Sequence, residues 1–338
     1  MKPATATSPK SDLPATLGPY HVLEVIGAGL GGMGEIFLCY DPSLDRKVVV
    51  KRVPAGASEE ILNRFHREAS LLSGVAHPGY AHVYRYWMVE GRPAMAMEFI
   101  DGLTLRELMD LRRTLPLDVA LCIGWSVAEA LRHAHLHGII HRDVKPANIM
   151  VSHSGQVKLL DFGVARFEKH ADLTMPGMVV GTTSYMSAEQ AKGEDLDERS
   201  DIYSLALCLY ESILGTHPFR KDQPDATLTA LLTKNARSLW LARPGTPFSV
   251  SRLVALSMSR KRARRPRDGS AFLQQLDKSW NRKGRDREAY LAAYMAALRA
   301  GRPFEAPMPR VGVPSWIWAS CALLAGFAAG VGLGFLGR

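Results

Sequence analysis

Between His141 and Gly163 the chain places two carboxylates, a lysine and an amide close together. Asp143, Lys145 and Asn148 fall within six residues, and Asp161 follows thirteen later. Asp143 can accept the proton of an attacking hydroxyl. Lys145 can neutralise charge on a transferring phosphoryl group. Asn148 and Asp161 supply hard oxygen ligands, which suit magnesium, with manganese the alternative.

Two upstream groups extend this chemistry. Val48-Val49-Val50-Lys51 ends a β-branched run on a lysine, and Glu68 lies in the helical stretch Arg64-Phe65-His66-Arg67-Glu68-Ala69. A lysine held by a helix carboxylate can be fixed against α- and β-phosphates. Further back, Gly29-Leu30-Gly31-Gly32-Met33-Gly34 lets backbone N–H groups approach phosphate oxygens with no Cβ in the way. Dinucleotide-binding folds use G-x-G-x-x-G too, but there the last glycine opens a helix. Here the strand-like Ile36–Tyr40 follows, which favours a hairpin lid.

The elements that must position these groups divide in two. His21–Val25, Ile36–Tyr40, Lys47–Val53, Val83–Val89 and Ala94–Phe99 read as strands, interrupted by one helix over Glu59–Ser73. From Leu103 helices dominate: Leu103–Leu111, Leu117–His137, Ile202–Leu214, Thr227–Lys234, Ser249–Met258 and Ser270–Lys278. Ile149–Val151 and Val157–Leu160 are short extended pieces between them. A small sheet-rich part followed by a larger helical part predicts an α+β fold of two lobes with a cleft.

Taken in order, the glycine loop, Lys51 with Glu68, His141-Arg142-Asp143-Val144-Lys145-Pro146-Ala147-Asn148 and Asp161-Phe162-Gly163 resemble the eukaryotic-type protein kinases. Gly34 precedes Lys51 by 17 residues, as that family's strand–turn–strand requires. The wording is most similar to bacterial transmembrane (Hanks-type) serine/threonine kinases. The resemblance covers about Tyr20–Lys278 and implies a bilobal kinase that transfers the γ-phosphate of ATP to protein serine or threonine. It casts Asp143, Lys145, Lys51 and Glu68 as catalytic. Ile26, Gly27, Gly29, Gly31, Gly34, Ile36, Val49, Lys51, Glu98, Ile100 and Met150 become the ATP contacts. Within these, Glu98 and Ile100 would hold the adenine edge through their backbone, Met97 would guard the deep pocket, and Ile36, Val49 and Met150 would sandwich the ring. Asn148 and Asp161 become the metal ligands.

The same resemblance pairs Glu189 with Arg265 and has Asp201 brace the catalytic loop. Arg142 beside Asp143 implies control by activation-loop phosphorylation, with Thr174 the candidate acceptor and Thr182 and Thr183 behind it. Three departures stand out. The glycine loop is two residues longer than usual, so that either Gly27 or Gly29 is its first functional glycine. Ser187-Ala188-Glu189 lacks the usual proline, and Val49 replaces a smaller residue. The alternative function is a membrane-anchored pseudokinase scaffold, against which the intact Lys51, Glu68, Asp143, Asn148 and Asp161 stand.

Of 338 residues, 47% are hydrophobic and 22% charged, and the net charge is +9. That composition suits a globular chain with a sizeable core. Arg260, Lys261, Arg262, Arg264, Arg265 and Arg267 crowd one stretch, but without aromatic interleaving or a known motif they do not point to nucleic acid. The four cysteines are far apart in sequence and read as buried thiols. Residues 1–18 read as a disordered leader, 19–278 as the kinase domain, 279–314 as a basic juxtamembrane linker and 315–336 as a spanning helix. Trp316–Leu336 is 21 nearly all-apolar residues, enough to cross a hydrocarbon core of ~30 Å. The expectation is a single-pass, tail-anchored enzyme whose kinase domain faces the cytoplasm and whose helix contacts lipid. Gly326, Gly330 and Gly334 would form a small-residue face suited to a homodimer.

Overall fold

A computed structural model describes residues 14–27, 34–74, 76–161, 183–280 and 286–304. Residues 1–300 form one compact unit and 301–338 a second; all that follows concerns the first.

The unit opens on a six-stranded antiparallel sheet in the order β1-β2-β3-β4-β6-β5. Its strands are β1 (Thr16–Leu17), β2 (Tyr20–Gly27), β3 (Glu35–Asp41), β4 (Arg46–Arg52), β5 (Val83–Val89) and β6 (Arg92–Glu98). Period-two alternation turns Phe37 and Cys39 of β3, with Val48 and Val50 of β4, into one core with Leu17, Tyr20, Val89, Ala94 and Ala96. Burial drives the Cys39 thiol up to about 11, so it behaves as a small apolar residue. Helix α1 (Glu59–Gly74) contacts this sheet at β5 and β6 and buries Phe65 and Ala69.

The rest of the unit is mainly helical. A small sheet, β7 (Gly102–Thr104), β8 (Ile149–Ser152) and β9 (Val157–Leu159), lies at its upper edge. Below it are α2 (Leu105–Leu111), α3 (Leu117–Leu136), α4 (Ala188–Lys192), α5 (Arg199–Leu214), α6 (Pro224–Thr233), α7 (Leu239–Ala242), α8 (Phe248–Ser257), α9 (Gly269–Ser279) and α10 (Arg287–Arg299). Helix α5 is buried nearly all round, its polar residues included, and packs against α3 and α8, which makes it the central post of this lobe. The two-lobed α+β architecture expected from the hydrophobic patterning is present.

Some boundaries differ from the sequence reading. Residues 14–18 do not all belong to a leader, since Thr16 pairs with His21, Leu17 with Tyr20, and Leu17 is fully buried. Within the stretch read as linker, the sequence reads as helical from Asp286 to Ala300 and α10 forms there, but it buries Tyr290, Leu291, Tyr294 and Met295 against α3 and β8 and so belongs to the kinase unit. Residues 103 and 104, read as the start of a helix, belong to β7, because Thr104 caps α2 through a reciprocal box with Glu107. Among the described residues no helix is long and apolar enough to cross a membrane. The expected spanning segment, with Gly326, Gly330 and Gly334, lies outside the described residues.

Candidate active site

Lys51 stands on β4 opposite Ile36 of β3 and is 4% exposed. Its Nζ donates to Glu68 Oε1 at 2.8 Å and to Asp161 Oδ1 at 3.3 Å. Sheet, helix α1 and the segment after β9 thus meet on one ammonium. Burial alone would lower the pKa of Lys51, but Asp161 and Glu68 outweigh it and hold the charge on. Asp161 is likewise opposed by burial, yet Lys51 keeps its carboxylate below the usual range.

The catalytic loop is built on a buried carboxylate. Asp201, in the first turn of α5, accepts the His141 amide on Oδ2 and the Arg142 amide on Oδ1, both at 2.8 Å. His135 Nε2 reaches the same Oδ2 at 3.0 Å, while its Nδ1 accepts from the Gly269 amide at 3.1 Å. That pair of partners assigns the proton of His135 to Nε2. Arg142 sits at φ 67° and Asp161 at φ 39°. Such conformations cost a non-glycine residue on the order of 1–3 kcal/mol and persist where surrounding bonds over-determine them.

On this frame Lys145 Nζ donates to Asp143 Oδ2 at 2.7 Å. The Asn148 amide donates to the same oxygen at 3.0 Å and to the Asp143 carbonyl at 2.9 Å. Two donors on one oxygen fix the rotation of the Asp143 carboxylate. With Asn148 Nδ2 so engaged, its carbonyl oxygen is the group turned to ligand duty. Paired with the Asp161 carboxylate it makes a hard, all-oxygen donor set, which fits a divalent ion completed by phosphate oxygens and water. No group of three or more His, Cys, Asp or Glu able to hold a metal occurs among the described residues.

The residues expected beside adenine lie on β3, β4, the end of β6 and β8. Val49 faces Met97 across β4 and β6, and Met150 lies on β8, two residues after Asn148. Ile36, Val49 and Met150 are half-buried, while Ile100 is buried at the exit of β6. Glu98 ends β6, and its carboxylate accepts from Lys158 Nζ at 2.8 Å, which anchors the crossing between lobes. Gly27 pairs with Ile36 while Ile26 is exposed, and β2 and β3 form the expected hairpin. At Gly34, φ is 94° and a Cβ would lie 2.6 Å from the Arg52 carbonyl, so only glycine fits. Gly29, Gly31, Thr174 and Thr182 lie outside the described residues; Thr183 opens a 3₁₀ turn ending at Tyr185.

The missing proline before Glu189 is compensated. Ser187 caps α4 in a box with Gln190, and Glu189 makes a bidentate pair with Arg265 at 2.6 and 2.9 Å. Ser200 Oγ adds a third bond to Glu189 at 2.6 Å. Sequence reasoning passed over His135, Lys158, Ser200 and Gln190. Each is a polar residue whose importance lies in a partner distant in sequence, so only spacing in three dimensions reveals it.

A sheet lobe and a helical lobe, with a carboxylate fixed by two donors and an all-oxygen donor set beside a buried lysine, make the arrangement that phosphoryl transfer can use. The chain belongs to the protein kinase family: the profile of the protein kinase domain matches residues 20–277. It is 34% identical over 307 residues to serine/threonine-protein kinase PknA of Mycobacterium tuberculosis, covering 89% of this chain and 67% of that one. It is 41% identical over 212 residues to PknB of Mycobacterium leprae, covering 61% of this chain and 34% of that one. Among solved structures, the PknI kinase domain of Mycobacterium tuberculosis superposes with a TM-score of 0.61 at 26% identity, over 79% of this chain and 99% of that one. The chain spans about a third of the length of several relatives it matches. Family membership carries with it the use of ATP and a divalent metal.

Proposed function

We propose that this chain is a serine/threonine protein kinase that uses magnesium and transfers the γ-phosphate of ATP to protein hydroxyls. The observation that carries the reading is the interlock of Asp143, Lys145 and Asn148 beside the Lys51–Asp161 pair. Lys51, held by Glu68, positions the α- and β-phosphates. The divalent ion, held when bound by Asn148 and Asp161, neutralises phosphate charge. A substrate hydroxyl set against Asp143 gives up its proton to that carboxylate as its oxygen bonds to the terminal phosphorus. The bond to the bridging oxygen breaks, and ADP leaves with that electron pair. Lys145 neutralises charge on the group in transit. A lysine two residues after the catalytic aspartate, and the names of the relatives, support serine and threonine as acceptors.

Arg142 supports autophosphorylation of the activation segment, with Thr174 foremost and Thr182 and Thr183 behind it. The uncharged run Trp316–Leu336 supports a membrane-spanning anchor that keeps the kinase unit on the cytoplasmic face. Gly326, Gly330 and Gly334 at four-residue spacing support pairing of two such helices.

Purified chain with labelled ATP, magnesium and a generic protein substrate tests the activity. Label recovered on phosphoserine and phosphothreonine, and lost in Asp161→Asn, is the expected result; label on tyrosine or none at all would reject it. Deleting residues from Trp316 onward should move the chain to the soluble fraction. Retention in the membrane pellet after a high-salt wash would reject the anchor.

A further inference from the structure

Three large apolar side chains stand in solvent side by side on the helical lobe. Trp240 is 51% exposed, Leu241 59% and Phe248 67%. The rings of Trp240 and Phe248 meet edge to face with centroids 6.3 Å apart. Their backbone is well tied. The Trp240 amide donates to Ser251 Oγ at 3.0 Å, and Arg243 Nη1 donates to the Leu115 and Ile213 carbonyls at 2.9 Å. Helix α7 buries Leu239 and turns Trp240 and Leu241 outward, so the exposure is a property of a fixed platform.

Charge around this platform is of one sign. From residue 226 to 267 there are ten lysines and arginines and no aspartate or glutamate. Arg237 precedes Trp240 by three residues, and Arg252 follows Phe248 by one turn on the same face of α8. Lys234, Arg237 and Arg252 are exposed, and none has a carboxylate partner among the described residues. Within the same stretch Arg262 pairs with Glu194 and Asp197, and Arg265 with Glu189, so the cations left to the platform are Lys234, Arg237 and Arg252.

The occupant must accept apolar side chains and positive charge together. A second copy docked two-fold would oppose cation to cation. A nucleic acid would satisfy the cations and stack on the aromatic rings but would offer nothing to Leu241. An anionic bilayer takes both, because indole and phenyl rings settle at the headgroup level while basic side chains meet lipid phosphates. We propose that the α7–α8 face binds an anionic phospholipid bilayer, with Trp240, Leu241 and Phe248 inserted and Lys234, Arg237 and Arg252 on the headgroups. An apolar spanning helix holds a chain whatever the headgroup charge; this face requires that charge, and it would set the orientation of the kinase unit. The inference rests on neither the catalytic reading nor the anchor.

The test uses the full chain with vesicles of brominated phosphatidylcholine, alone or mixed with brominated phosphatidylserine. The signal is the Trp240 fluorescence, taken as the difference between the parent and Trp240→Phe. Quenching of that component only with phosphatidylserine, relieved by high salt and by the double substitution Arg237→Gln and Arg252→Gln, is expected. Equal quenching in both vesicles, or none in either, would overturn the proposal, as would protection of Trp240 by RNA or an acidic polypeptide without quenching by lipid. Loss of the chain from phosphatidylcholine vesicles counts against the 315–336 anchor alone, since the phosphatidylserine vesicles still read this face.

Discussion

Gln190 Nε2 donates to the carbonyl of Arg142 at 2.8 Å, across 48 residues of sequence. That carbonyl belongs to the peptide joining Arg142 to Asp143. The Arg142 amide is already held by Asp201, so both polar groups of a residue at φ 67° are fixed from outside. One residue of the α4 capping box therefore fixes the backbone that carries Asp143, the proposed general base.

Gln190→Glu keeps the size and the bond from the Ser187 amide but sets a carboxylate oxygen against the Arg142 carbonyl. Leaving a buried carbonyl without its donor costs about 1–3 kcal/mol. If that strain is expressed at Asp143, kcat falls on the order of tenfold to a hundredfold. The nucleotide contacts lie on other elements, so KM for ATP stays as it was. Steady-state kinetics decide this, and an unchanged kcat would remove Gln190 from the positioning of the loop.

The Glu189–Arg265 pair gives a pH signature. Burial opposes the Glu189 charge, but hydrogen bonds and charge from Arg265 win and bring its carboxyl down to about 2. A folded-state value below the unfolded one means stability that is complete above about pH 4.5 and is lost as pH falls toward 2. With Glu189 2% exposed, that depression corresponds to about 3 kcal/mol. Urea unfolding of the parent and of Glu189→Gln should show the variant less stable at neutral pH, with the two curves converging in acid. Parallel profiles would show that the pair adds no pH-dependent stability.

Gly155 tests whether α10 belongs to the kinase unit. It lies at φ 88°, and a Cβ there would fall 1.9 Å from the Glu288 carbonyl. Gly245, at φ 89° with nothing within 4 Å of its would-be Cβ, is the control for backbone strain alone. Gly155→Ala should speed amide exchange over 287–299 and weaken the stacking of Arg287 on Trp125, now 3.4 Å from guanidinium to ring centre. A further loss of stability of about 1–3 kcal/mol beyond Gly245→Ala accompanies it. Equal behaviour of the two variants would mean that α10 is not wedged on the β8–β9 turn.

The chemistry was more legible in the amino acids than the scaffold was. Lys51, Glu68, Asp143, Lys145, Asn148 and Asp161 could be named because each is a group phosphoryl transfer can use and their order resembles the protein kinases, and the structure links Lys51 to Glu68 and Asp161, and Asp143 to Lys145 and Asn148. Long elements such as α3 and α5 showed in their apolar patterning. Helix α4, with five residues, and α7, with four, are too short to show a period. The strand β7 was hidden because Leu103 continues the apolar pattern of the helix after it. Gln190 and His135 look like ordinary polar helix residues until the fold places a carbonyl and a carboxylate against them.

In the proposed mechanism Asp143 takes the hydroxyl proton while Lys51, Asn148 and Asp161 hold nucleotide and metal. Single-turnover transfer of labelled γ-phosphate, with nucleotide affinity measured in parallel, separates these roles. Asp143→Asn should leave affinity for the magnesium nucleotide unchanged and lower the transfer rate by about a hundredfold or more. Transfer at the parent rate, or loss of nucleotide binding equal to the loss of transfer, would contradict it.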